Sequence, residues 1–105
     1  MALDSVFHAL SDPTRRAVVQ RLGRGRATVS ELAEPFSMAL PSFMKHLAVL
    51  ERSRLITSRK AGRVRTCELQ VKNLAAAERW FDEQRARWQG RYENLDNLLT
   101  KMSGE

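Results

Sequence analysis

Read for chemistry, the chain offers little that could make or break a covalent bond and much that could hold a polyanion. One cysteine, Cys67, and two histidines, His8 and His46, are spread along it. A thiol nucleophile needs a base held within hydrogen-bond reach, and nothing adjacent in the sequence supplies one or orients His46. A tetrahedral nitrogen and sulfur metal site needs about four donors, and no glycine-rich phosphate cradle appears. Between Arg52 and Cys67, by contrast, stand six basic residues, Arg52, Arg54, Arg59, Lys60, Arg63 and Arg65, and no acid. Such a run suits nucleic-acid phosphates, where it supplies affinity more than sequence choice. These residues point away from an enzyme and from a metal site.

The elements that must position those charges lie between residues 28 and 70. Thr28 is followed by Glu31 at capping-box spacing, and Val29, Leu32, Ala33 and Phe36 share one side of the helix that follows. Pro35 and Ser37 end it. In the next helix Leu40, Phe43, Leu47 and Leu50 form the inner stripe at steps of 3, 4 and 3. Ser42, Lys45, His46 and Val49 lie off that stripe. An outward polar face at the start of a second helix is where base edges are met in the major groove, so Ser42, Lys45 and His46 are the candidate base readers. The same face would equally serve as a solvated one. Ile56 to Lys60 and Arg63 to Leu69 read as two strands around an Ala61-Gly62 turn, a basic hairpin with Arg59, Lys60, Arg63 and Arg65 near its tip. Cys67, Leu69 and Val71 alternate with polar residues and give the second strand a buried side. Cys67 thus reads as a small core residue, whereas a redox-sensing thiol would have to be exposed with a lowered pKa.

The flanks read as helices. Leu3, Val6, Phe7 and Leu10 make a short amphipathic one, and Asp12-Pro13 opens the next with Asp as N-cap and Pro in the first turn. Val18, Val19 and Leu22 give that second helix its inner side, Gly23 and Gly25 end it, and Arg15, Arg16, Arg21, Arg24 and Arg26 are expected to be exposed. After the hairpin, residues 72–102 read as helix, with Leu74, Phe81, Trp88, Leu95 and Met102 recurring every seven residues and Ala77 and Leu98 at the second apolar heptad position. Gly90 predicts a bend or break. Aromatic anchors are enriched at interfaces, so this segment and the N-terminal helix are expected to form a dimer contact through Leu3, Phe7, Phe81, Trp88, Tyr92, Leu95 and Leu98. The alternative is that it folds back on its own domain.

At 105 residues the chain is one domain, 1–105, with a helix-turn-helix at about 28–53, a wing at about 55–70 and a C-terminal dimerisation helix at about 72–102. The net charge of +6 is unevenly placed: residues 1–77 hold 13 basic and 6 acidic residues, against 5 and 6 in the remainder. The excess therefore belongs to the motif and the wing and not to a membrane-facing segment. No apolar run could span a bilayer, the N-terminus lacks signal-peptide features, and one cysteine suits a reducing compartment, so a cytoplasmic location is expected.

The segments FHALSDPTRRAVVQRL, VSELAEPFSMALPSFMKHLAVLERSRLI and RKAGRVRTCEL together resemble the ArsR family of bacterial winged-helix repressors over roughly residues 3–70. The resemblance implies a mainly α fold with a small β-hairpin wing, a winged helix-turn-helix with N- and C-terminal dimerisation helices. It further implies a homodimeric repressor on an inverted-repeat operator in double-stranded DNA, with residues 42–46 in the major groove. The chain departs from the family's common polar residues at Ala39, Pro41 and Met44. Thr28 and Ser30 stand where metal-sensing members carry cysteines, and the last helix has Glu78, Asp82 and Glu83 but no histidine. The expectation is a member without a metal or other cofactor and with an unidentified small-molecule effector, if any. A protein-interaction module built on the same fold is the alternative; against it stands the acid-free wing, which such a module does not need.

Overall fold

The computed structural model describes residues 2–102, without the side chains of Ala2, Tyr92, Leu95 and Asp96. Its elements are α1 (Ala2–Leu10), α2 (Pro13–Leu22), β1 (Ala27–Thr28), α3 (Val29–Ala33), α4 (Leu40–Arg52), β2 (Ile56–Ala61), β3 (Val64–Leu69) and α5 (Val71–Met102). Both helix starts read from the sequence are built as expected. The Asp12 carboxylate accepts from the Arg15 N–H at 3.0 Å, with Pro13 next in the chain. Thr28 and Glu31 cap each other, Thr28 Oγ1 accepting from the Glu31 N–H at 3.1 Å and Glu31 Oε1 from the Thr28 N–H at 3.2 Å.

The hairpin is joined by a third strand. Ala27 pairs with Cys67 and Thr28 with Thr66, giving an antiparallel sheet in the order β1-β3-β2. Two residues are too few to show alternation, so this strand has no sequence signature. The turn also lies one residue later than expected. Ala61 pairs with Val64, leaving Gly62 and Arg63 as the loop, and Gly62 has φ +64. Positive φ at the first of two loop residues matches the twist of the strands, and glycine adopts it without strain.

The core gathers under α4. Phe43, Leu47 and Leu50 are buried against Val6 and Ala9 of α1, Val18 and Leu22 of α2, Leu32 of α3, and Leu55, Ile56 and Cys67 of the sheet region. Each large apolar side chain contributes roughly 1.5–3 kcal/mol by leaving water. Leu40 departs from the stripe: it is 56 % exposed, because the first turn of α4 extends past the edge of the core toward the wing. At its other end α4 stops in a Schellman-type cap. Leu55 N donates to Leu50 O at 3.1 Å and Arg54 N to Glu51 O at 3.0 Å, with Arg54 in the left-handed region at φ +64. Leu50 and Leu55, both fully buried, close that cap with an apolar contact. Asn73 Nδ2 donates to the Arg54 carbonyl and thereby ties the start of α5 to this turn.

The helix α5 is 32 residues long and runs unbroken through Gly90, contrary to the expected interruption. One glycine costs only about 1 kcal/mol in a helix, and no contact within 4 Å of a Cβ built there forces the backbone elsewhere. The first turns of α5 pack on α1, where Phe7, Trp80 and Phe81 meet edge to face at centroid distances of 5.3–5.7 Å. Beyond them the helix leaves the body. The radius of gyration is 19.5 Å, against about 13 Å for a compact chain of this length.

Replacing Arg54 by Gly should raise the unfolding free energy by up to about 1 kcal/mol, since a left-handed L-residue costs more than glycine's added unfolded-state freedom. Arg54→Val should lower it. Denaturant midpoints at constant slope would register both, and a Gly variant less stable than the parent would refute this account of the cap.

Candidate nucleic-acid interface

The outer face of α4 is formed by default, since the buried stripe dictates which residues remain. Ser42 and Lys45 are exposed and His46 is half-buried. Ala39 precedes the helix without a side-chain cap, so the first N–H groups of α4 stay open to an external acceptor. Beside this helix start lies a groove whose other wall is the wing, lined by Lys60, Arg63 and Arg65 together with Ser30, Leu40 and Met44.

The four wing cations do not share one surface. Lys60 pairs directly with Arg65 across the hairpin, on the side that carries Ser58 and Cys67, whereas Arg59 pairs with Thr66 on the opposite side. There Arg59 lies with Thr57, Glu68 and Arg26. Two like charges directly opposite repel. Arg65 resolves this by turning along the diagonal: its Nη1 donates to Ser58 Oγ at 2.8 Å, and Ser58 Oγ donates to Glu51 Oε1 in the last turn of α4. One wing cation is thus tied to the same helix whose other end carries Ser42 and Lys45. Spacing along a single strand cannot reveal this chain, because its three members come from three elements.

His46 faces inward as well as outward. Its Nδ1 lies 3.1 Å from Arg15 Nη1 and 3.6 Å from the Asp12 carboxylate. Arg15, expected at the surface, is only 9 % exposed. Its Nε donates to the Ala9 carbonyl at 2.7 Å and its Nη2 to the His8 carbonyl at 3.2 Å, two carbonyls of the last turn of α1, the second of which also accepts from the Ser11 N–H and hydroxyl. A signal was present in the sequence, since Arg15, Val18 and Leu22 are the buried residues of α2 and fall at steps of 3 and 4. Charge assigned Arg15 to the surface, while periodicity assigned it to the inner face.

Burial pushes the Asp12 carboxyl up, but the Arg15 N–H, the charges of His46 and Arg15 and the Thr14 N–H outweigh it and leave the pKa below its ordinary 3.8. Thr28 lowers Glu31 through its backbone and then its hydroxyl, against slight desolvation and with help from Arg21. Cys67 is fully buried, and burial with the Glu51 carboxylate raises its thiol pKa above 9.0 despite Arg65. A thiol so placed is a packing residue and lacks the exposure and acidity of a redox sensor.

A short helix, a turn, a helix with a polar outward face and a basic antiparallel hairpin beside it define a winged helix-turn-helix DNA-binding domain. A helix-turn-helix domain family matches residues 10–59. The chain is 42 % identical over 73 residues to the HTH-type transcriptional regulator Rv2034 of Mycobacterium tuberculosis, covering 70 % of this chain and 68 % of that one. It is 32 % identical over 79 residues to the transcriptional repressor SdpR of Bacillus subtilis, covering 75 % and 88 %. Among solved structures, the ArsR family transcriptional regulator RHA00566 matches with a TM-score of 0.81 at 56 % identity, over 85 % of this chain and 98 % of that chain. The homodimeric winged helix-turn-helix domain Mb0332 of Mycobacterium bovis shares the fold, with a TM-score of 0.64 at 21 % identity over 79 % and 81 %. The chain belongs to the ArsR family of transcriptional regulators, a class of DNA-binding proteins and not of enzymes.

Because the folded pKa of Asp12 is depressed, its contribution to stability is present above about pH 4 and is lost as pH falls through the folded value. Asp12→Ala should therefore cost about 1 kcal/mol at pH 7, as lost N-caps do. Denaturation at pH 7 and at pH 2.5 would check it: the difference between the two proteins should shrink at the lower pH, and a constant difference would refute the linkage.

Proposed function

We propose that the protein is a homodimeric, metal-independent transcriptional repressor that binds an inverted-repeat operator. The observation that carries this reading is the exposed start of α4, with Ser42 and Lys45 facing out beside a groove walled by Lys60, Arg63 and Arg65. Ser42, Lys45 and the outward edge of His46 read base edges in the major groove. Lys60 and Arg63 hold phosphates on the groove side of the wing and Arg59 on its outer side, with Arg65 adding charge while tied to Ser58.

Dimerisation through α1 and α5 is supported by the apolar residues that α5 leaves uncovered. Phe81 is 46 % exposed, Trp88 43 % and Leu98 54 %, and exposed apolar patches of this kind mark interfaces. Leu3 and Phe7 pack partly against the core, and Phe7 meets Phe81 on this face. The side chains of Tyr92 and Leu95, which complete the proposed contact, lie outside the described residues. Metal independence rests on Thr28 and Ser30 standing where metal-sensing members carry cysteines. Repression is the activity named for the SdpR relative. No described helix is long and apolar enough to cross a membrane, in keeping with action on DNA in the cytoplasm.

Selection from a random duplex pool at physiological salt tests the whole reading. Enrichment of an inverted repeat, with half-site centres about one helical turn or more apart, is the expected result. Retention without enrichment would leave charge-driven binding alone, and no retention would favour a protein-interaction role. On the selected site Lys45→Ala should weaken binding by about 1–3 kcal/mol, more than on random DNA. Arg63→Ala should weaken both duplexes alike and flatten the slope of log K against log salt by about one unit. Equal losses on the two duplexes for Lys45→Ala would remove it from the reading set.

A further inference from the structure

The cluster of Arg15, His46 and Asp12 is not absorbed by the backbone and base contacts described above. Its members come from the start of α2 and the middle of α4, and its hydrogen bonds reach the end of α1. We infer that Arg15 is a positioning residue for DNA readout, which joins the end of α1 to the recognition helix and holds His46 as the single tautomer protonated at Nε2.

A guanidinium has five N–H donors and no acceptor, and it does not lose its proton in a protein. The contact between Arg15 Nη1 and His46 Nδ1 at 3.1 Å is therefore a hydrogen bond only if Nδ1 accepts. In the neutral ring the proton then resides on Nε2. Arg15 cannot easily swing away, because its Nε and Nη2 are held by the Ala9 and His8 carbonyls at 2.7 and 3.2 Å and the side chain is almost wholly buried. Those carbonyls carry the negative end of α1, and the Asp12 carboxylate is close by, so the buried charge is compensated on both sides.

The other ring nitrogen is available. Among the described residues no buried side-chain nitrogen or oxygen lacks a partner, and Nε2 has no protein partner, so it meets solvent. A histidine free to choose its tautomer could offer either a donor or an acceptor at that point. Locked by Arg15 it offers a donor, which suits guanine N7 or O6 and thymine O4 and opposes the cytosine amino group. The same lock sets how α4 sits against α1, so readout and the α1 surface share one joint.

This inference rests on the DNA-binding reading, and its first test does not. In the free protein at pH 8, two-bond ¹H–¹⁵N correlation spectra should show His46 Nδ1 at the shift of an unprotonated ring nitrogen and Nε2 at that of a protonated one. Arg15→Lys should move both toward the averaged shifts of mixed tautomers. A wild-type His46 protonated at Nδ1, or already averaged, overturns the inference without any variant having to fold. The second test uses the selected duplex and a random one. His46→Asn keeps an acceptor for Arg15 but removes the outward donor, and should lower cognate over random preference about three- to tenfold, as expected for one hydrogen bond. Arg15→Lys should lower it at least as much. Unchanged preference in both variants, with the expected spectra, overturns the readout role. A chain that shows the expected spectra but enriches no duplex fails the proposed function while the tautomer lock stands.

Discussion

Burial of Phe43, Leu47 and Leu50 is the interaction on which the rest of the structure depends. These three side chains insert into a core drawn from α1, α2, α3 and the sheet, so α4 cannot rotate about its axis without exposing one of them to water. With rotation fixed, Ser42 and Lys45 must face out, since 3.6 residues per turn leaves them no other direction. The outer face of α4, the proposed readout surface, is thus the remainder of a packing problem. Its chemistry is free to vary, because none of its outward atoms is needed to hold the helix in place.

Packing settles rotation, and polar contacts at the middle and the C-terminal turn of α4 add direction to it. At the middle of the helix, Arg15 bridges His46 to the carbonyls of His8 and Ala9. Toward the C-terminus, Glu51 accepts from Ser58, which accepts from Arg65. Hydrogen bonds to ionised groups are about twice as strong as neutral ones and depend on direction as apolar contacts do not. A helix anchored by apolar contacts along its buried stripe and by directional charged contacts at its middle and its C-terminal turn has a defined position relative to α1 on one side and the wing on the other. The second of these ties links the C-terminal turn of α4 to Arg65 of the wing.

A different imbalance governs α5. Its first turns are covered by α1 through Phe7, Trp80 and Phe81, but a helix of 32 residues is about 48 Å long. The body of one small domain cannot cover that length. Phe81, Trp88, Leu98, Leu99 and Met102 are exposed along it, and in water an isolated helix of this kind gains little from its own propensity. The two halves of α5 therefore depend on different partners, the first on its own domain and the second on whatever covers the heptad positions. In the proposed homodimer a second copy of the same face would answer that need by symmetry.

What was legible in the sequence was local or periodic. The Asp12 cap with Pro13, the capping box of Thr28 and Glu31, the stripe of Phe43, Leu47 and Leu50, the buried Cys67 and the glycine-containing hairpin all depend on residues within one or two turns of each other, where spacing alone carries the physics. The rest required atoms distant in the chain to meet. The two-residue strand β1 exists only because β3 offers it a ladder, Leu40 is exposed only because the core ends before it, and Arg54 is left-handed because Leu55 must reach back to Leu50. Arg15 shows the division most clearly. Its charge argued for solvent and its spacing for the interior, and only the carbonyls at the end of α1 and the ring of His46, 31 residues away, made burial the lower-energy choice. A buried charge is stable when enough partners converge on it, and convergence is a property of the tertiary structure.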